Sequence, residues 1–508
     1  MLEPSDLQGL VAGYGGLDHA GLLFIQIEDV ATCRRWLRAL GPRLTSSAAQ
    51  LCDRRKEGEH QKKRGLNIAF TARGLETLGV PDGVLRTFST EFLVGMARRS
   101  ELLGDVGDCA PESWQFGGDD EAPIHLVLML FAHEHTRDWL ERYRETVKVH
   151  GMRVLYHQLA ERLTEPPDPA AIGGTDAPSR KAGRELYEHF GFRDGLAQPE
   201  ICGLPQPWKH TNEEILVPTA NRLEAGEIIL GHPDAQGDLY GTPARELSGD
   251  PRSDPRFDGS YLVLRKLEQD VGAFRKFVAE KAAEAGGDFE EERRKLMAKM
   301  VGRWPDGRLL DPHSGSTSVG DGDKPSKDFL FGEDAEGLHC PVTSHIRRSN
   351  PRDALVTPTG PTKRQDKKAR ELSLKVSRRH RMLRRGITYQ DETGEKGLLF
   401  IALVADLRRQ FEFVQQNWLI NKKFGGRLNE PDPLLTSGDG SAQFTVPERD
   451  GPRRCIKGLP RFVRMRGGEY FFMPGIEGYY RLLDLGERAT STGGPEHPAS
   501  PSMAAEPS

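Results

Sequence analysis

Long apolar runs are absent from this sequence. No stretch approaches the roughly 20 apolar residues that a membrane-spanning helix requires, so no membrane partner is expected. Cysteine is scarce: the six stand scattered at positions 33, 52, 109, 202, 340 and 455. They have neither the paired spacing of a structural zinc site nor the density of a disulfide scaffold. Reduced thiols in a cytoplasmic protein are the expectation. The opening residues, MLEPSDLQGLVAGYGG, lack a basic n-region, an apolar h-region and a twin arginine, so no secretory signal is read there. An excess of positive charge is missing too. The net charge is −4, and the chain as a whole is not composed like a nucleic-acid binder. One run departs from that balance: residues 363–385 hold eleven Lys and Arg against two acidic residues. A solvated helix face explains such a run; an anionic partner is the alternative.

What is present is a soluble, globular composition, with 37% hydrophobic and 29% charged residues over 508 positions, enough for more than one domain. The pentapeptide GLLFI occurs at 21–25 and again at 397–401. Each copy reads as a buried strand and each leads into a helical pattern: Cys33, Trp36, Leu37 and Leu40 after the first, Phe411, Val414 and Trp418 after the second. A second pair of strands, 124–134 and 259–269, leads into helices as well. Strand–helix units in both halves imply an α+β fold of two similar domains, each an antiparallel sheet with helices packed on one face. The expected division is 1–230, 231–486 and a disordered Pro/Ser/Ala/Gly-rich tail, 487–508. Loop-like stretches lie at 165–180, 231–259 and 305–328, and long irregular connections are often functional.

Three stretches carry candidate chemistry. In EHFGFRDGLAQPE (188–200), Asp194 stands between Gly191 and Gly195, just after a segment that reads as a helix. A turn would use the same residues, but the glycines also let backbone approach another group closely. In GLHCPVTSHIRRSNPRD (337–353), His339, Cys340 and His345 precede Arg347, Arg348 and Arg352. Zinc would need a second ligand pair, and none is obvious. A single imidazole among arginines suits haem, which takes one axial histidine and carries two anionic propionates. The third stretch, RRHRMLRRGITYQDE (378–392), places Arg384 in an apolar-flanked turn.

Together these stretches resemble the dye-decolourising peroxidases. GFRDG followed by LAQPEI is similar to that family's G-x-x-D-G signature, CPVTSHIRRSNPRD to its proximal-histidine segment, and MLRRGITY with GLLFIALVADLRRQFEFVQQNW to its distal-arginine turn and the strand and helix after it. GEYFFMPG (468–475) resembles the closing strand. The likeness runs in order from about residue 6 to 484. GITYQD departs from it: Thr388 and Gln390 stand where relatives commonly have Pro and Gly.

The resemblance implies two ferredoxin-like domains with haem b held mainly by the second. His345 would ligate the iron, with Asp432 hydrogen-bonded to its imidazole, and Arg347 would meet a propionate. Gly191 and Gly195 would let the loop lie close over the porphyrin, with Asp194 and Arg384 as the distal pair. The implied activity is a peroxidase that uses hydrogen peroxide to oxidise dyes, phenols or other small organic reductants through a ferryl intermediate. A haem-binding or iron-handling protein with incidental turnover is the competing reading. Trp418, Tyr389 and Trp304 are candidate electron relays, with ordinary core aromatics as the alternative. No nucleic-acid partner is expected, and the oligomeric state stays open.

Overall fold

The computed structural model describes residues 2–55, 64–168, 185–204, 221–239, 251–311, 329–356, 360 and 362–492. The first half runs β1 (His19–Ile27), α1 (Val30–Leu40), β2 (Arg64–Phe70), β3 (Leu126–Ala132), α2 (Thr136–Val149) and β4 (Met152–Glu161). In the second half β5 (Ser260–Gln269) is followed by α3 (Val271–Ala285), α4 (Phe289–Val301), α5 (His345–Ser349) and α6 (Lys363–Arg379). The strands β6 (Leu383–Arg384), β7 (Ile387–Gln390), β8 (Lys396–Val404) and β9 (Val463–Met473) come next, then α7 (Ile476–Thr492). Helix starts follow local chemistry: Asp29, Asp270 and Asp288 cap α1, α3 and α4 through their carboxylates, and Thr362 and Gln365 form a capping box on α6.

Strand order is β4-β1-β3-β2-β9-β5-β8-β6, with β7 also on β8. Within each half the order is fourth, first, third, second, and every pairing is antiparallel, which is the ferredoxin-like arrangement twice over. The two sheets expected from the sequence are not separate. They meet where Phe70 of β2 pairs with Phe472 of β9, giving one nine-stranded sheet. The sheet curls until β4 lies against β7, and the Thr388 hydroxyl donates to the Glu161 carbonyl across that seam. Thr388 therefore ties the two ends of the curled sheet together.

Alternate residues serve two cores. Leu23, Ile25, Leu66 and Ile68 face the helices, while Leu22, Phe24, Val127, Met129, Leu262, Leu264, Ile401 and Phe471 fill the space inside the curled sheet. Both faces are buried, so the strands read as continuous apolar runs instead of alternating ones.

The segment after β8 differs from an ordinary helix. Arg408–Glu412 and Val414–Leu419 are π-helical. The buried Gln410 side chain donates to the Glu227 and Arg381 carbonyls and accepts from the Ala405 and Asp406 amides, which ties the start of this segment to two other stretches of chain. The wider turn still buries Phe411, Val414 and Trp418.

Residues 487–492, read from sequence as the start of a disordered tail, continue α7. Arg38 holds that end through Asp484 and Glu487. Residues 493–508, and 312–328 of the third loop, lie outside the described residues.

Candidate active site

His345 opens α5, a five-residue helix packed on α4 and on the second π-helical turn. Its imidazole Nδ1 is 2.8 Å from Asp432 Oδ2. A carboxylate accepts, so the Nδ1 proton is donated and Nε2 keeps its lone pair. Asp432 is fully buried, whereas 33% of the His345 side chain is exposed. The second Asp432 oxygen accepts from the Leu434 amide at 2.9 Å, and the Asp432 amide donates to the Leu419 carbonyl where the π-helix ends. Burial opposes protonation of His345, but the Asp432 carboxylate outweighs it and holds the imidazole above its usual pKa.

Asp194 sits on a loop built around Glu188. The stretch before Asp194 is a bridge and a turn over residues 187–190, not the helix its sequence suggests. The cause is the Glu188 carboxylate, which accepts from the Phe190 and Phe192 amides at 3.0 and 2.9 Å and from Gln269 Nε2 at 2.6 Å. Burial raises its pKa, and those three donors offset the rise only in part. Gly191 and Gly195 have φ of +107° and +75°, backbone that favours glycine. Among the described residues, a Cβ on Gly195 would meet no atom within 4 Å, and one on Gly191 would meet Asp168 Cβ at 3.9 Å. Asp194 itself is exposed, with Oδ1 accepting from the Gly195 amide at 2.6 Å.

Arg384, in β6, is anchored by its own amide on Gln198 Oε1 at 3.2 Å and by Nη2 on the Ala197 carbonyl at 3.3 Å. Both partners lie on the chain just beyond Asp194. Burial lowers the Arg384 pKa, and the Asp194 charge opposes that change. Arg384 in turn acts electrostatically on His345, as does Glu188. The structure thus brings His345, Asp432, Arg384 and Asp194 into one neighbourhood. Glu188, Gln198 and Arg162, whose charge also faces Asp194, belong to it. The glutamate next to a flagged loop was a visible signal; Arg162 left none.

Arg347 is the residue that the resemblance assigns to a haem propionate. It is buried against Phe331, with Nη1 donating to the Cys340 carbonyl at 2.7 Å and lying 3.3 Å from Asp334. Cys340 is buried and its thiol is pushed up to about 11, unlike a metal-binding thiolate. Tyr389 and Trp418 are core residues.

Two family models match this chain: the DyP dimeric alpha+beta barrel domain over residues 18–153 and the C-terminal domain of Dyp-type peroxidases over residues 247–450. The chain belongs to the dye-decolourising peroxidase family. It is 28% identical to a dye-decolorizing peroxidase of Exidia glandulosa, over 94% of this chain and 86% of that one. Its identity to the multifunctional dye peroxidase DyP2 of Amycolatopsis is 27%, over 94% of both. Among solved structures, AauDyP of Auricularia auricula-judae complexed with imidazole superposes with a TM-score of 0.69 at 26% identity, covering 95% of this chain and 100% of that one. Like other dye-decolourising peroxidases, this chain is an oxidoreductase that takes peroxide and a reducing substrate, and membership implies a haem cofactor. Among the described residues, no helix is long and apolar enough to cross a membrane.

Proposed function

We propose that this peroxidase would hold haem b with His345 as the iron ligand, and that Asp194 and Arg384 act on hydrogen peroxide. The observation that carries the reading is the His345–Asp432 hydrogen bond, which ties up Nδ1 and leaves Nε2 as a metal ligand. The surroundings fit the group: among the described residues the space beside Gly195 is open, which suits a flat macrocycle, and the His345 imidazole is backed by a buried carboxylate.

Haem supplies a redox-active iron at which the peroxide O–O bond is cleaved. The protein's part is proton and charge management. Asp194, exposed to that space with Oδ1 engaged by the Gly195 amide, takes the proton from one peroxide oxygen and returns it to the other. Arg384, always charged, stabilises the negative charge that builds on the departing oxygen. His345 donates Nδ1–H to Asp432, and the carboxylate makes the imidazole a stronger electron donor. Electrons from dyes, phenols or related small organic reductants complete the cycle. A cytoplasmic location accords with the scattered thiols, of which Cys33, Cys109, Cys202, Cys340 and Cys455 are free.

The test is an absorption spectrum of the haem-supplied protein before and after one equivalent of peroxide, in the native chain and in His345→Ala. A Soret band that changes promptly with peroxide, and whose ligation signature is lost in His345→Ala, is the expected result. A native Soret band indifferent to peroxide, or an unaltered spectrum in His345→Ala, overturns it.

A further inference from the structure

Arg348 lies one helical turn beyond His345 on α5 and is completely buried. Its guanidinium spans two separate stretches of chain. Nη1 donates to the Glu430 carbonyl at 2.7 Å and Nη2 to the Asn421 carbonyl at 2.6 Å, while the group rests 4.8 Å from the centre of the Phe424 ring. Both stretches converge on Asp432. Glu430 is two residues before it, and Asn421 is two residues after Leu419, whose carbonyl receives the Asp432 amide at 2.9 Å. The two partners of the proximal hydrogen bond are therefore pinned by one side chain. His345 shares its helix, and Asp432 hangs from the segments it grips.

Stability alone is a poor reason for such a residue. Burying an arginine is expensive, and well-packed apolar residues often serve as well or better. Here the cost is visible: burial depresses the guanidinium to about 10, against the pull of Asp432 and Glu430, and among the described residues Nε has no hydrogen-bond partner. A planar fork that reaches two carbonyls at once does something an apolar side chain or a lysine cannot: it sets the spacing of two loops.

We propose that Arg348 is the positioning residue of the proximal hydrogen bond, fixing the His345–Asp432 separation and, through it, the electron donation of the imidazole. This rests on the reading of His345 as the iron ligand. Loss of the fork lets the 419–432 segments relax away from α5, the hydrogen bond weakens, and the imidazole loses imidazolate character.

The experiment uses the haem-loaded full chain and reads two properties besides turnover: the ferrous iron–histidine stretching band and the ferric/ferrous midpoint potential. Arg348→Met is expected to lower the band frequency and raise the potential, in the same direction as Asp432→Asn. The double variant should move neither beyond Asp432→Asn alone, because both act through one bond. An unmoved band and potential in Arg348→Met, or displacements that add in the double variant, overturn the proposal. Should Arg348→Met fail to take up haem, Arg348→Lys decides: it keeps a donor for one carbonyl, so an intermediate displacement supports the proposal and an unmoved band defeats it. An unchanged iron–histidine band in His345→Ala would instead sink the ligand assignment itself, and the two failures are told apart.

Discussion

His189 Nε2 donates to the backbone carbonyl of Tyr389 at 2.8 Å. That bond joins the loop carrying Asp194 to the strand that follows Arg384, so two residues far apart in sequence share one mechanical link. Burial keeps the His189 imidazole neutral by depressing its pKa, which suits a structural donor. His189→Leu should destabilise the fold by about 1 kcal/mol for the lost hydrogen bond and slow the reaction with peroxide. Urea unfolding and stopped-flow mixing would read the two effects; a rate equal to that of the native chain would show that the link does not align the pair.

Asp194→Asn and Arg384→Leu should keep the Soret band yet slow the reaction with peroxide. The loss of a proton-transfer group is worth about 10²–10⁴ in rate, and the loss of one electrostatic stabiliser about 10²–10³. Stopped-flow absorbance at equal haem content is the measurement, and native rates in both variants would remove them from the chemistry.

Glu188→Ala removes the acceptor of the Phe190 and Phe192 amides and of Gln269. Donors left unsatisfied in a buried loop cost about 1–3 kcal/mol. Urea midpoints should fall accordingly, with slower peroxide reduction as Asp194 loses its support. Glu188→Gln, which keeps an acceptor oxygen, should fall less.

Lys266 is fully buried inside the curled sheet, with Nζ at 3.0 Å from Glu395, 2.7 Å from Gln115 Oε1 and 3.0 Å from the Tyr156 hydroxyl. Lys266→Met leaves Glu395 with Arg466 Nε at 3.2 Å and the Tyr389 hydroxyl at 2.8 Å. It strips the Gln115 and Tyr156 oxygens of their shared donor, and should cost about 1–3 kcal/mol. Thermal or urea unfolding measures the loss, and an unchanged midpoint would mean that the lysine does not support the site.

Asp6 is raised from 3.8 to about 6, first by burial and then by the neighbouring Asp258 and Glu477 carboxylates, against the Glu477 amide it accepts from. His232 faces Asp258 from the other side. The folded state holds this proton more tightly than the unfolded one, so its contribution is complete below about 3.8 and is lost as pH rises through about 6. Asp6→Asn stays neutral and can still donate and accept. Its stability relative to the native chain should therefore increase between pH 4 and pH 6 or so and then level off. Urea midpoints taken across that range test it; a constant difference would rule out the shared proton.

Much of this was legible in the sequence because strands buried on both faces announce themselves as apolar runs. Leu22, Leu23, Phe24 and Ile25 are all buried, but their repeat at Leu398–Ile401 lies on the third strand of the second half, not on the counterpart of β1; the duplication was legible in the recurring strand–helix units, not in the pentapeptide. The positive-φ glycines around Asp194 were legible for a similar local reason. What escaped notice depends on contacts between distant segments. A single pairing, Phe70 with Phe472, merges two sheets, and no local pattern encodes it. Arg347 and Arg348 are neighbours of the same type, yet one turns to Phe331 and the other to Phe424. Adjacent residues on a short helix point in different directions, and composition alone cannot assign their partners.

Helix α7 follows the whole second half in sequence but lies on the first. The Tyr479 hydroxyl meets the Leu37 carbonyl at 2.6 Å, and Arg34 reaches back to the Gly486 carbonyl at 2.9 Å. During synthesis, then, the early half waits for the late one: its helix α1 leaves the ribosome with an apolar flank uncovered and keeps it so until the rest of the chain has been translated. Cutting the gene between the halves would yield an N-terminal fragment whose α1 lacks both of these contacts.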